Sequence, residues 1–219
     1  MNISKKIGDN EKEFKQKEIF MKKTAFFSLI ILLCAFVASA IPTDAEAKIY
    51  DDTVRLHILA NSDTREDQTL KLAVRDGILE KYSDVLSKCE SSENAEETVK
   101  NLIPDIEREA KSIITTAGYD YDVHASIGKE WYDTREYEDF TMPCGTYTSL
   151  QIVIGNGAGK NWWCVMYPPL CTELASESAP ADDAISDYSK EEILLIQGGR
   201  YNVKFKILEL LSSAFTKNS

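Results

Sequence analysis

VRLHILANSDTREDQTLKLAVRDGILEKY, residues 54–82, contains the change of period on which the architecture rests. Val54, Leu56, Ile58 and Ala60 alternate with Arg55, His57 and Leu59, the two-residue repeat of a strand buried on at least one face. Beyond the turn the apolar residues recur at helical spacing, through Leu70, Val74, Ile78, Tyr82 and Val85, to about Lys88. Asp63 and Glu66 form a capping-box-like pair where one period gives way to the other. Gly77 falls inside this helix, where glycine costs up to about 1 kcal/mol against alanine, so it marks a point of close packing.

Downstream, Cys89 to Asn94 is a polar break before a second helical stripe of Ala95, Val99, Leu102, Ile106, Ala110, Ile113 and Ala117. Gly118 is placed to cap it, and Pro104 predicts a kink or a break into two shorter helices. Tyr121 to Ile127 alternates as a strand, and WYDTREYEDF (131–140) holds room for another. Thr148–Ile154 reads as the clearest strand, with Trp162–Tyr167 expected as its hairpin partner. Residues 172–190 read as an exposed loop, followed by a short helix up to Gly198-Gly199. Val203, Ile207, Leu210, Leu211 and Ala214 favour a terminal helix, although YNVKFKI is able to open as a strand. The expected fold class is α+β, one domain with two or three helices packed on a mainly antiparallel sheet.

Upstream, Lys22-Lys23, the apolar run Thr24–Val37 and the small residues Ala38-Ser39-Ala40 match a secretory signal peptide, with Ala45-Glu46-Ala47 as an equally acceptable cleavage box. The same run is about long enough to be a retained membrane anchor. Leu33 is too bulky for a lipobox before Cys34. Translation is expected to begin at Met21, because Lys17-Glu18 is encodable as a ribosome-binding site. On this reading residues 1–20 are an extension, 21–47 the signal peptide and 48–219 the exported domain.

That domain carries 18 Lys+Arg and 30 Asp+Glu, a net charge of −12, which repels nucleic acid and anionic lipid. Its four cysteines, Cys89, Cys144, Cys164 and Cys171, favour disulfides in an exported chain. A zinc site lacks its CxxC spacing, and His57 and His124 stand far from the cysteines in sequence. GNGAGK (155–160) fails the phosphate-loop spacing and leads into β-rich sequence, so its glycines are expected to supply positive φ angles in a hairpin loop. His57 is placed to pair with an acid from a neighbouring strand. No nucleophile elbow accompanies either histidine. Acids at Asp63, Glu66 and Asp67 suit helix capping, with a carboxylate-pair hydrolase as the competing reading. No cofactor is expected.

GAGKNWWCVMYPPLC (157–171) is the densest stretch of costly residues. In a strand Trp162, Cys164 and Met166 share one face, and Trp163, Val165 and Tyr167 the other. Pro168-Pro169 ends the strand and turns the chain so that Cys171 is able to fold back to Cys164. A Cys164–Cys171 bridge would contribute about 2 kcal/mol by loop entropy. The residues leave two readings open: a core strand with a stapled corner, or a rigid edge with aromatic anchors for a protein partner.

Three stretches resemble the stage II sporulation protein R family: VRLHILANSDTREDQTLKLAVRDGIL, PCGTYTSLQIVIGNGAGKNWWCVMYPPLC and, more weakly, YNVKFKILEL. Cys144 departs from the small residue common there, and His57 from the residues usual at its position, so the resemblance assigns neither a role. The resemblance implies a non-enzymatic messenger, exported into the space between forespore and mother-cell membranes. It also implies a partner, a membrane-embedded aspartic protease of the mother cell that then processes pro-sigma-E. Trp162, Trp163 and Tyr167 are the first candidate partner-binding residues, and Asn61, Ser62 and Asp63 the second. The rival expectations are a cell-wall hydrolase acting through Asp63, Glu66 or Asp67 and a carbohydrate-binding module using Trp163.

Overall fold

A computed structural model describes residues 3–40, 43–137, 140–170 and 188–197. The chain divides into two compact units, 1–42 and 43–219. The first holds helix α1 (Ile3–Ala40), whose Phe26, Phe27, Ile31, Leu32 and Leu33 are all exposed.

The second unit begins with a helix that spans the expected boundary between signal peptide and exported domain at residues 47 and 48. Helix α2 (Asp44–Asp51) starts at a full capping box, with the Thr43 hydroxyl accepting from Glu46 N–H and the Glu46 carboxylate accepting from Thr43 N–H. Glu46 and Ile49 are buried, which an isolated eight-residue helix would not provide, so tertiary packing sustains it. Strand β1 (Val54–Leu59) leads into α3 (Arg65–Leu86), capped by Thr64 instead of Asp63. The core face of α3 ends on Leu86, and Val85 points outward at 42% exposure. Helix α4 (Ser92–Thr116) continues across Pro104 as one helix, because the apolar stripe on both sides of it is buried on the same sheet. Gly118 ends α4 with φ +87°, as its capping position requires. A Cβ on Gly77 would collide with Ile113 of α4, so the glycine is where α3 and α4 touch.

Strands β2 (Val123–Tyr132), β5 (Gly145–Ile154), β1 and β6 (Asn161–Tyr167) form the main sheet in the order β2-β5-β1-β6. A short ladder joins β3 (Arg135–Glu136) to β4 (Thr141–Met142). The fold is α+β, and two of the three pairings in the main sheet are antiparallel. The expected β5–β6 hairpin does not form. β1 lies between them, parallel to β5 and antiparallel to β6, and the glycine loop crosses its end. β1 is buried along both faces, which suits a central place better than an edge.

Helices α3 and α4 cover the face bearing Leu56, Ile58, Leu150, Ile152 and Cys164. The other face bears Arg55, His57, Ser149, Gln151 and Trp163. It is partly covered by α2, whose Tyr50 meets Tyr147 edge-on, and by the β3–β4 strap. Helix α5 (Lys190–Gln197) packs on α2 and β4. Tyr188 is buried and bonded to Thr53, and Ser189 caps α5, so the expected exposed loop 172–190 does not extend over its last residues. The remainder of that loop and the expected 203–214 helix lie outside the described residues.

Candidate functional site

The turn after β1 is built by backbone groups that have run out of sheet. β1 ends at Leu59, and the glycine loop supplies what the ladder no longer does: Gly159 N–H donates to Ala60 C=O at 2.9 Å and Ala158 N–H to Asn61 C=O at 3.2 Å. The Asn61 side chain is spent at both ends, its Oδ1 accepting from Asn156 N–H at 3.0 Å and its Nδ2 donating to Asp67 Oδ2 at 2.9 Å. Ser62 Oγ donates to the same carboxylate at 2.5 Å, and Asp63 Oδ1 accepts from Lys160 N–H at 2.7 Å. Lys71 is buried and donates to Lys160 C=O at 2.8 Å and Gln68 Oε1 at 2.7 Å. The hydrogen bond from Ser62, with those from Asn61 and Thr64, holds the Asp67 carboxyl below the usual range against the opposing effect of burial.

Glycine is required twice in this lock. Gly155 has φ +58° and a Cβ there would strike the Asn61 amide, while a Cβ on Gly159 would strike the Ser62 carbonyl. The positive φ angles expected of the loop are present at Gly155 and Gly157, in a crossover and not in a hairpin. Asn61, Ser62 and Asp63 are therefore joined to one another's surroundings by bonds that shape the turn. Asp67, one of the acids considered for hydrolysis, is held ionised, the opposite of what a general acid at neutral pH needs. Glu66 stands apart from it, lining a shallow groove of about 470 Å³ with Arg65, Thr69, Leu70, Ala73, Ala117 and Tyr119.

Strand β6 presents its tryptophans differently. It is the last strand of the main sheet among the described residues. Trp162 and Trp163 fall on opposite faces, as alternation requires, and both are half-buried. Arg75 of α3 lies over Trp162, 4.4 Å from its ring, and Arg135 of the strap over Trp163, 3.8 Å from its ring. His57, directly across from Trp163, stacks on it at 5.4 Å and 25°. Tyr167 is buried at 7% exposure. A register shift next to Val54 places it beyond the regular alternation that groups Trp163 with Val165.

Cys164 is disulfide-bonded, and Cys171 lies outside the described residues. Cys89 and Cys144 are not bridged to each other. His57 meets an acid, Glu130, at 2.7 Å, on β2 and not on a neighbouring strand as expected, because β5 runs between the two. Burial works against ionisation of Glu130, and the hydrogen bond and charge of His57 outweigh it, leaving the carboxyl below the usual range. The most exposed tryptophan is Trp131 at 42%, to which the sequence reading gave no role.

The family model described as stage II sporulation protein R matches residues 50–177. Stage II sporulation protein R of Bacillus subtilis (strain 168) is 34% identical over 182 residues, covering 78% of this chain and 81% of that protein. No solved structure matches.

Proposed function

Because the chain belongs to the stage II sporulation protein R family, and so has a role in sporulation, we propose that it is an exported messenger that activates a membrane-embedded protease of the mother cell. The activated protease then removes the pro-sequence of sigma-E. The observation that carries the reading, beside the family, is strand β6, the last of the main sheet among the described residues, with two half-buried tryptophans, each beneath an arginine. Large aromatic side chains held rigidly at a sheet edge are suited to anchoring a protein partner, because little conformational entropy is lost on docking. A bridge between Cys164 and Cys171 would stiffen the end of that strand further.

The test is reconstitution. The full chain, oxidised, is added to membranes holding the protease and the sigma precursor, and cleavage is followed by blot. Cleavage that needs both chain and protease supports the messenger reading. Precursor left intact with a folded chain and a competent protease counts against direct activation.

Export carries a second expectation. Cleavage after Ala40 would leave α2 whole, whereas cleavage after Ala47 would cut the capping box and remove buried Glu46. Mass spectrometry of the secreted chain is expected to find Ile41 at its N-terminus. A chain starting at Lys48 would mean that the second unit folds without most of α2.

A further inference from the structure

Beside the tryptophan strand, under the strap, lies a cluster of buried polar groups that folding has left incomplete. Arg55 and His57 stand two residues apart on β1 and share the second face of the sheet with Trp163, Gln151 and Glu130. Arg55 is 0% exposed. Its guanidinium lies 4.0 Å from the Tyr132 ring and 5.0 Å from the Tyr147 ring, and Nη2 donates to the Tyr137 hydroxyl at 2.9 Å. Its Nε and Nη1 are buried with no hydrogen-bond partner among the described residues, and none of the ion pairs there involves it. A guanidinium enclosed by rings and a neutral phenol, with no anion, is a costly arrangement.

The neighbours repeat the pattern. Arg135 rests on Trp163 with Nε buried and unpartnered, and His57, 5% exposed, gives Nδ1 to Glu130 and leaves Nε2 unpartnered. The shortage is not one of acids, because residues 48–219 hold 30 Asp+Glu against 18 Lys+Arg. Elsewhere arginines find them: Arg75 pairs with Asp76 and Arg108 with Asp105, both at 2.6 Å. Here the fold surrounds two arginines with aromatic rings, and among the described residues the acid that reaches this face is Glu130, which His57 engages.

The two arms of the cover are held differently: β4 buries Met142 and packs on α5, whereas Arg135 and Tyr137 on the β3 arm are half-buried. Arg135 and Tyr137 lie two residues apart on that arm, so both leave the cluster if it lifts. The strap's own ladder has two residue pairs, where β2 and β5 share ten. We propose that the cluster is a carboxylate-binding site with the β3 arm of the strap, residues 135–137, as its lid. It takes an acidic side chain of a partner protein, whose charge meets the vacant N–H groups of Arg55 and Arg135. A carboxylate brings the opposite charge and two acceptor oxygens for the guanidinium fork, where the Tyr137 phenol offers one neutral oxygen, so a carboxylate outcompetes the phenol at Arg55. The inference holds whichever protein the partner is.

The probe is an acetylated, amidated tetraglutamate peptide, with tetraglutamine as control. Each is titrated into the full chain in detergent micelles at physiological salt, and tryptophan fluorescence is followed. The glutamate peptide is expected to give a saturable change and the glutamine peptide none. Arg135→Gln should weaken binding about tenfold, and Arg135→Lys, which keeps the charge without the planar fork, about threefold. Tyr137→Phe should tighten it about threefold, because the phenol no longer competes for Arg55. The proposal is overturned by equal responses to both peptides, by no saturation up to about 10 mM glutamate peptide, or by an unchanged affinity in Arg135→Gln. Should Arg135→Gln fail to fold, unchanged affinity in both Arg135→Lys and Tyr137→Phe overturns it as well.

Discussion

The two ends of β1 treat buried polar groups in opposite ways. At its C-terminal end Asn61, Ser62, Asp63, Asp67 and Lys71 bond one another and the glycine loop, down to both ends of the Asn61 amide. Toward its N-terminal end Arg55, His57, Arg135 and Glu130 keep buried donors and acceptors without partners among the described residues. Polar groups consumed by the fold contribute to folding, and removing one leaves another stranded. Groups left over contribute little to the fold and are available to something else. The contrast assigns the turn to architecture, although it bears the kind of residues that suggest a site, and assigns the strap side, with Trp163 at its margin, to recognition.

The largest effect should follow from cutting the lock at its centre. Asp67→Ala strands the Asn61 amide and the Ser62 hydroxyl at once and should cost about 3 kcal/mol in chemical denaturation. A cost under 0.5 kcal/mol would mean that the turn is not held as described. Next comes Gly159→Ala, whose methyl meets the Ser62 carbonyl and should cost about 2 kcal/mol by the same measurement.

Acid offers a gentler probe of both ends. Asp67 and Glu130 have folded-state carboxyls below their ordinary values, so their contribution is present in full above the ordinary carboxylate range and is lost as pH falls through the lowered folded values. Thermal midpoints at pH 7, 5 and 3 should show the loss between the last two, and Asp67→Asn should make that drop smaller. The smallest change in stability is expected for Trp163→Ala, about 1 kcal/mol from its lost contacts with Arg135 and His57, together with the loss of precursor cleavage. Global unfolding of that variant would return Trp163 to the core.

Period made much of this readable. The strand-to-helix change at residues 54–82, the stripe of α4, the long strand before Ile154 and the separation of Trp162 from Trp163 all follow from which residues share a face. Period is silent on which strands become neighbours. A six-residue glycine loop between two strands suggests a hairpin, and only the bonds of that loop to Ala60 and Asn61 show that it bridges a third strand. The bulge that displaces Tyr167 and the capping of α3 by Thr64 are local departures that period does not encode. Arg55 was the least legible. An arginine facing away from the apolar side of a strand is ordinarily solvated, and its burial depends on Tyr132, Tyr137 and Tyr147 arriving from distant segments.

Hydrogen exchange on the full chain, with and without membranes bearing the protease, separates the two ends in one measurement. Partner binding through the recognition side should slow exchange in β6 (161–167) and in the strap around Arg135 and Tyr137, and leave residues 60–63 and 155–160 as they were. Added protection confined to that turn and glycine loop, with β6 and the strap unchanged, would contradict the assignment.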